Sequence, residues 1–276
     1  MICERIFCII VGTEAISLKK RILCLLLAVV TMFSLCACGS GRYKVVKTVD
    51  DRDYSIGFRN GDATYHYVNA ALRELSSEGV IDNLAFKWFG SDGAVNFPKG
   101  KNALDKLGYI EPRTFTIGVD LNSFPMCFKD GNSYTGFDVE LAREACKKLG
   151  WQLRVQPIVS ANAYVELNSG NIDCAWGGVV LDPECADYTI LVTYMSDKLV
   201  VAAKGSGKSM LYGGSLYMGT DSMYMDVLEA NPAISNRTKQ ITRVSGTPVE
   251  FFEYLNSDSC DFIITTKRAV EYYNLH

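Results

Sequence analysis

Apolar positions recur every three or four residues in several segments of the chain, which is the spacing of one face of a helix. One such segment follows Asp62, a residue type that caps helices, and ends before Gly79. Another follows Asp138, which is also placed as a cap, and ends at Gly150. The inward faces of these two predicted helices carry Val68, Ala71, Leu72 and Leu75, and Leu141, Ala142, Ala145 and Leu149.

Short apolar runs between helical segments predict strands, at 115–119 and again at 153–158. The order strand, helix, strand favours a parallel sheet. Further along, residues 247–250 form a capping box with proline at the first helical position. A polar segment between a predicted helix and a predicted strand, 167–173, has a counterpart at 255–261. We therefore expect an α/β protein with two similar parts.

The beginning of the chain has the pattern of an export leader. Three basic residues at 19–21 precede an apolar run at 22–35. The run suits the core of a signal peptide and is short for a membrane span, which needs about 20 residues.

The apolar run ends at 35–39, which resembles the lipid-attachment sequence of bacterial lipoproteins, with Cys38 as the modified residue. A plain cleaved secretory signal is the alternative. We expect residues 1–37 to be the signal peptide and residues 38–42 to be the lipidated cysteine and a short tether.

Composition and charge argue against several functions. A chain of 276 residues that is 48% hydrophobic and 21% charged can build a core. Its 28 basic and 31 acidic residues argue against a nucleic-acid partner. Two histidines leave little room for a histidine metal site or a catalytic triad. The ten cysteines include no C-x-x-C spacing, and those beyond the leader are expected to be small buried residues rather than a disulfide framework.

Several short motifs resemble those of family 3 extracytoplasmic solute-binding proteins, and they occur in that family's order. They are Ile117–Asp120, Phe124–Phe128, Gly136–Asp138, Leu167–Asp173, Trp176–Gly178 and Tyr194–Met195. The resemblance implies the type II periplasmic-binding-protein fold, in which two Rossmann-like α/β lobes are joined by two hinge strands. It also implies a receptor, in most of the family for amino acids, that closes about its hinge and serves an ABC importer.

Residues 43–92 resemble the C-terminal end of the same family, although they come first here. This order indicates a circular permutation, and the rival explanation is an artefact that joins parts of two receptors. The permuted order predicts one continuous lobe, 54–199, and a second lobe made of 43–53 and 200–276. The short tether would hold the second lobe close to the membrane.

The resemblance also implies a ligand site between the lobes. The rings of Phe124, Phe128 and Trp176 would form its apolar walls. Gly178 and Val180 would contribute backbone hydrogen-bonding groups, and Ser222, at a helix N-terminus, would suit an anionic group of the ligand. Each aromatic residue could instead be part of the core, and for Trp176 the sequence favours the two roles equally.

The two charged anchors of the family's amino-acid receptors are missing. Cys185 stands in place of the arginine, Asp182 in place of its neighbouring threonine, and Thr266 in place of the aspartate. Asp221 stands where the family often has glycine. Losing two charge-assisted hydrogen bonds removes about 3–6 kcal/mol of binding free energy. An amino acid is therefore expected to bind poorly unless other groups compensate, and Asp182 and Asp221 favour a neutral or cationic ligand.

The sequence thus predicts a monomeric lipoprotein on the extracytoplasmic face of the cell membrane that passes a small polar solute to an ABC permease. It predicts neither catalysis nor any metal or other cofactor. One alternative is a sensor or vestigial receptor without transport. Another is a dehydratase-type enzyme on the same fold, with Asp182, Glu184 or Asp221 as the general acid.

Overall fold

The computed structural model describes residues 42–91 and 94–276, and these belong to one unit, Gly41–His276. The predicted signal peptide and the lipid attachment at Cys38 lie outside the described residues. No helix in the described ranges is long and apolar enough to cross a membrane. The α/β class expected from the sequence is confirmed.

Two strands of 17 residues each, β1 (Tyr43–Arg59) and β7 (Tyr188–Lys204), run through the middle of the protein. The other strands are β2 (Thr114–Val119), β3 (Phe128–Asp130), β4 (Ser133–Thr135), β5 (Gln152–Pro157), β6 (Cys174–Ala175), β8 (Ser215–Met218), β9 (Gln240–Arg243) and β10 (Phe262–Thr266). The helices are α1 (Thr64–Ser77), α2 (Val80–Phe89), α3 (Phe137–Leu149), α4 (Ala163–Ser169), α5 (Ser222–Ala230), α6 (Pro232–Arg237), α7 (Pro248–Asn256) and α8 (Lys267–Leu275).

Eight strands form one mixed sheet in the order β5-β2-β6-β1-β7-β10-β8-β9. β1 and β7 pair antiparallel along their whole length, from Tyr43 opposite Lys204 to Arg59 opposite Tyr188. Parallel strands lie on both sides of this ladder, β5, β2 and β6 on one side and β10, β8 and β9 on the other. The predicted strand–helix–strand unit is β2-α3-β5, and its two strands are parallel.

The buried hydrophobic side chains fall mainly into two large clusters. The first is formed by residues between Tyr54 and Met195, and the second by Tyr43 together with residues between Leu199 and Val270. Phe124 is an exception, because it follows β2 in the chain yet packs in the second cluster. The β1–β7 ladder runs from one cluster to the other, so it connects two separately packed regions.

The local helix predictions have mixed outcomes. The helix after Asp62 is confirmed, but Ala63 rather than Asp62 occupies the cap position. The Asp62 carboxylate accepts a hydrogen bond from the backbone N–H of Thr64, the first residue of the helix, at 2.9 Å. The capping box that begins at Thr247 is also confirmed. The prediction that Asp138 caps its helix is wrong. Gly136 occupies the cap position, and the Asp138 carboxylate is bound to groups elsewhere in the fold.

Candidate functional site

The middle of the β1–β7 ladder is flanked by polar groups from both halves of the sheet. β6 pairs with β1 at Gly57 and Phe58, and β10 pairs with β7 from Leu199 onward. The segment between these pairings is held by the β1–β7 ladder itself, in which Arg52 lies opposite Asp197. β2 belongs to one set of parallel strands and β8 and β10 to the other, and the two sets run in opposite directions. Polar residues follow the carboxyl ends of all three strands, and ligands of α/β sheets bind at such ends.

Asp120 organises the loop that follows β2. It is 3% exposed, and one carboxylate oxygen accepts hydrogen bonds from the Ser160 backbone N–H at 3.1 Å and hydroxyl at 2.5 Å. The other oxygen accepts from the Asn122 backbone N–H at 3.0 Å. The Asn122 side-chain amide in turn donates to Asp221 at 2.8 Å. This contact joins the loop after β2 to the residue before α5.

Asp138 lies in a fully enclosed network. One of its carboxylate oxygens accepts a hydrogen bond from the Gly178 backbone N–H at 2.7 Å and from the Tyr194 hydroxyl at 2.6 Å. The other oxygen is buried without a hydrogen-bond partner. Burial raises the pKa of Asp138 to about 7, because desolvation disfavours the charged form. The network fixes the loop that contains Gly178.

Asp197 is the second buried carboxyl group near the ladder and is 4% exposed. One oxygen accepts hydrogen bonds from the Lys198 backbone N–H at 2.7 Å and from the Arg268 backbone N–H at 3.2 Å. The other oxygen receives only the Tyr54 hydroxyl, at 3.4 Å. Burial raises the pKa of Asp197 to about 6.

Arg52 extends from β1 toward the first turn of α5. Its Nη2 lies 3.1 Å from the sulfur of Met223, and its Nε is buried without a hydrogen-bond partner. Burial raises the pKa of both Tyr54 and Tyr224, and the positive charge of Arg52 opposes that rise in both. Arg52 as a whole is half-buried.

The three predicted aromatic walls are packed against the protein's own side chains. Phe124 is 2% exposed, and its ring lies 4.9 Å from Phe128 and 5.3 Å from Tyr273. Trp176 is completely buried in the first cluster, and its indole nitrogen has no hydrogen-bond partner there. A role for these rings in contacting a ligand stays a prediction.

The backbone groups expected from Gly178 and Val180 are already engaged. Gly178 donates to Asp138, and its carbonyl accepts from the Ser123 hydroxyl at 2.7 Å. The Val180 N–H donates to the Ser160 hydroxyl at 3.3 Å. These groups shape the loop in the described structure.

The residues at the missing anchor positions lie in different surroundings. Asp182 accepts a hydrogen bond from the Glu184 backbone N–H at 2.9 Å. Cys185 is half-buried against a small third cluster of apolar residues around α4. The Thr266 hydroxyl donates to the Phe124 carbonyl at 3.0 Å and accepts from the Ala269 N–H at 3.1 Å, so its hydrogen-bonding capacity is largely used.

Asp221 and Ser222 lie at the start of α5, as expected. Asp221 is bound to Asn122, and Ser222 is exposed as the first residue of the helix. Of the predicted site residues, these two lie nearest in sequence to Met223, the contact of Arg52.

The cysteines of the described residues, Cys127, Cys146, Cys174, Cys185 and Cys260, are free thiols, and all but Cys185 are buried. The expectation of small buried residues is met at those four positions. Within the described ranges, no group of three or more His, Cys, Asp or Glu side chains is placed to hold a metal ion.

Four polar residues of this site were not predicted from the sequence: Arg52, Asp120, Asn122 and Asp197. Asp197 could have been singled out from the sequence, because it is a lone acidic residue close to the apolar run 199–203. Arg52 lies in a charged stretch, 50–53, where alternate side chains of a strand point to opposite faces. Only the pairing with β7 shows which member of that stretch lies opposite Asp197.

An α/β sheet with polar residues converging at the ends of parallel strands has the features of a ligand-binding protein. Residues 115–244 match the family model of bacterial extracellular solute-binding proteins, family 3. The matched segment is just under half of the chain, and the match agrees with the resemblance that the sequence motifs indicated.

One characterised bacterial protein is similar to this chain over part of its length. The arginine-binding extracellular protein ArtP of Bacillus subtilis is 26% identical over 164 residues, which cover 57% of this chain and 62% of the relative. The chain thus spans less than two thirds of that relative's length.

Two solved structures are also similar over part of the chain. A polar amino acid ABC uptake transporter substrate-binding protein from Streptococcus thermophilus is 26% identical, with 55% of this chain and 61% of that one covered and a TM-score of 0.38. An ABC uptake transporter substrate-binding protein from Streptococcus pneumoniae with bound histidine is 27% identical, with 58% and 68% covered and a TM-score of 0.43.

Proposed function

We propose that this protein captures a small polar solute, an amino acid or a related compound, and delivers it to the permease of an ABC importer. The observation that carries the proposal is the β1–β7 ladder, which connects two groups of parallel strands and has polar side chains from both groups at its middle. Ligands of α/β sheets bind beyond the carboxyl ends of parallel strands. The match to the solute-binding family model supports the same function.

The proposal includes capture by closure of two lobes, 54–199 and 43–53 with 200–276, about the β1–β7 ladder. The two hydrophobic clusters support this division, because each would stay packed if the lobes separated. Between the lobes, polar contacts such as Asn122 with Asp221 would break on opening, together with the packing of Phe124 in the second cluster. The ladder itself would bend without losing its pairing.

We also propose that the order of elements is a circular permutation of the family's order. In the unpermuted order, α8 would connect directly to β1. The Asn274 side chain accepts a hydrogen bond from the Tyr43 N–H and donates one to the Tyr43 carbonyl, both at 2.8 Å. The end of α8 therefore lies against the start of β1, which is the proximity that such a connection needs.

Lipid attachment at Cys38 is the part of the proposal that sets the location. β1 begins at Tyr43, and the four residues between would extend to at most about 14 Å. The start of β1 would then lie close to the outer surface of the cell membrane. Mass spectrometry of protein extracted from membranes tests this: we expect a lipid-modified N-terminal Cys38, and release into the medium for Cys38→Ser.

The solute is tested by native mass spectrometry of protein purified without refolding, followed by calorimetric titration with the standard amino acids and their amine derivatives. A retained solute of this class, or saturable binding of one, is the expected result. Failure of every amino acid and amine to bind would contradict the proposed function. A glucose titration serves as the control, because an uncharged sugar offers nothing for the charged groups at the middle of the ladder.

A further inference from the structure

The end of the protein at which β1 begins carries two large exposed side chains. Met210 is 76% exposed and Tyr212 is 81% exposed, and both belong to the loop 205–214 between β7 and β8. Leu211, which lies between them in the chain, packs in the second hydrophobic cluster. The loop is therefore fixed to the core, while the residues on either side of Leu211 lie in solvent.

Contacts with the start of β1 hold this loop in place. The Gly205 N–H donates to the Arg42 carbonyl at 2.8 Å. The Lys44 ammonium group donates to the carbonyls of Gly205 and Gly207, at 3.0 and 2.7 Å. The loop and residues 42–47 thus form one continuous surface, the tether-side surface.

A groove of about 540 Å³ lies on the tether-side surface. It is lined by Val46, Lys47 and Arg237 together with the loop residues 209–212. Arg237 is joined to the loop, because its carbonyl accepts a hydrogen bond from the Gly213 N–H at 2.9 Å. The groove therefore combines apolar side chains with two cationic ones.

The charge of the tether-side surface differs from that of the whole chain, which is −3. Its two segments contain four basic residues, three at the start of β1 and one in the loop, and no acidic one. Lys208 pairs with Asp261 at 3.1 Å. Lys47 donates to the side-chain oxygen of Asn231 at 3.3 Å, and no ion pair among the described residues includes Lys47 or Arg237. These two cations can therefore attract an external anion.

The lipid attachment proposed at Cys38 determines what this surface would meet. A tether of four residues would keep the start of β1 within about 14 Å of the bilayer. Tyrosine favours the interface between membrane and water, because its ring is apolar and its hydroxyl is polar. Basic groups beside such a ring attract the phosphates of anionic lipids. An apolar and basic surface at this end of the protein fits a lipid bilayer.

We propose that the tether-side surface binds a bilayer that contains anionic phospholipids, with Met210 and Tyr212 at the level of the headgroups and Lys47 and Arg237 against the lipid phosphates. This inference rests on the proposed lipid attachment. The attachment would keep the surface at the bilayer, so that a weak contact suffices to hold it there. The lipid would supply the anchor, and the surface would set the orientation of the second lobe.

The test is co-sedimentation of the released Cys38→Ser protein, which has no lipid of its own, with vesicles of phosphatidylcholine and phosphatidylglycerol. Met210→Ser combined with Tyr212→Ser should weaken binding at least about tenfold, because less apolar area leaves water. Lys47→Gln combined with Arg237→Gln should also weaken it at least about tenfold and reduce its dependence on salt. Vesicles of phosphatidylcholine alone should bind the parent protein more weakly.

Tyr109→Ser and Arg154→Gln are the matched controls. Tyr109 is 84% exposed between α2 and β2, and Arg154 is exposed on β5. Both variants should bind vesicles like the parent protein. Because Met210 and Tyr212 lie in solvent, their replacement should leave the melting temperature unchanged, so that weaker vesicle binding reports the surface itself.

Equal vesicle binding by the parent, both double variants and the controls would overturn the inference, as would a parent protein that binds no vesicle. Analytical ultracentrifugation covers a different occupant. A parent dimer that is lost in Met210→Ser with Tyr212→Ser, without vesicle binding, would assign the surface to a second copy of the chain and overturn the inference too.

Failure of the proposed function is measured separately. Solute titration should give the same affinity in the parent protein and both double variants. Wild-type protein that binds no solute would contradict the proposed function, and an unmodified Cys38 would contradict the proposed location. Neither result would change vesicle binding by the Cys38→Ser protein.

Discussion

Asp138 is fully buried and Arg52 is half-buried, and each has one buried polar atom without a hydrogen-bond partner among the described residues. The Asp138 carboxylate accepts hydrogen bonds from Gly178 and Tyr194, which come from distant parts of the chain. Arg52 is in contact with a thioether sulfur and has no carboxylate partner among the described residues. The described residues supply two hydrogen-bond donors to Asp138, whereas the one side-chain contact that they supply to Arg52 is the Met223 sulfur.

The chemistry of the two groups explains why the difference matters. A buried carboxyl group can become neutral, and the raised pKa of Asp138, about 7, shows that burial drives it that way. A guanidinium remains charged, so an incomplete environment persists at every accessible pH. Asp138 is therefore suited to a structural role in the folded protein, whereas Arg52 keeps its charge at the half-buried middle of the ladder.

The largest effect is expected at Gly178, the glycine bound to Asp138. Its backbone has φ +65°, and a Cβ there would lie 2.2 Å from the Ser123 Cβ. Gly178→Ala should lower the free energy of unfolding by roughly 3 kcal/mol, since strain, clash and disturbance of the Asp138 hydrogen bond act together. Chemical denaturation measures this change.

Gly108→Ala is the control for backbone strain alone. Gly108 has nearly the same conformation, φ +69°, with no atom within 4 Å of the added Cβ. A loss of about 1 kcal/mol is expected there. Equal losses in the two variants would show that close packing of the loop around Asp138 contributes little.

The titration of Asp138 gives the next prediction. Folded protein keeps this proton up to about pH 7, whereas an unfolded aspartic acid has a pKa of 3.8. The folded state thus binds more protons between these values, so stability is highest at the acid end and falls as pH rises. Between pH 5 and pH 8 this titration should lower the free energy of unfolding by about 3 kcal/mol, as measured by urea denaturation across that range.

Asp138→Asn should remove most of the fall between pH 6 and pH 8. Asp197 has a raised pKa of about 6, so it adds a fall of the same sign at lower pH. Asp197→Asn should therefore flatten only the acid part of the curve. An unchanged profile in Asp138→Asn would show that Asp138 is not the group that titrates.

The same two residues show how far sequence reasoning reaches. Periodicity and caps predicted α1, α3 and the helix after Thr247, because each depends on neighbours within a few residues. Asp138 was misread as a cap because its true partners, Gly178 and Tyr194, lie 40 and 56 residues away. Arg52 was overlooked for a similar reason, since its opposition to Asp197 arises only when β1 and β7 pair. Local signals identify elements, and long-range pairing decides which polar side chains meet.

The smallest effect concerns the contact that joins the two parts of the sheet near Arg52. Asn122 donates to Asp221 at 2.8 Å, so Asn122→Ala should lower the free energy of unfolding by about 1 kcal/mol. In a double-mutant cycle with Asp221→Ala, a coupling of roughly 1 kcal/mol is expected. Additive stability effects of the two substitutions would show that the hydrogen bond between Asn122 and Asp221 contributes little to stability.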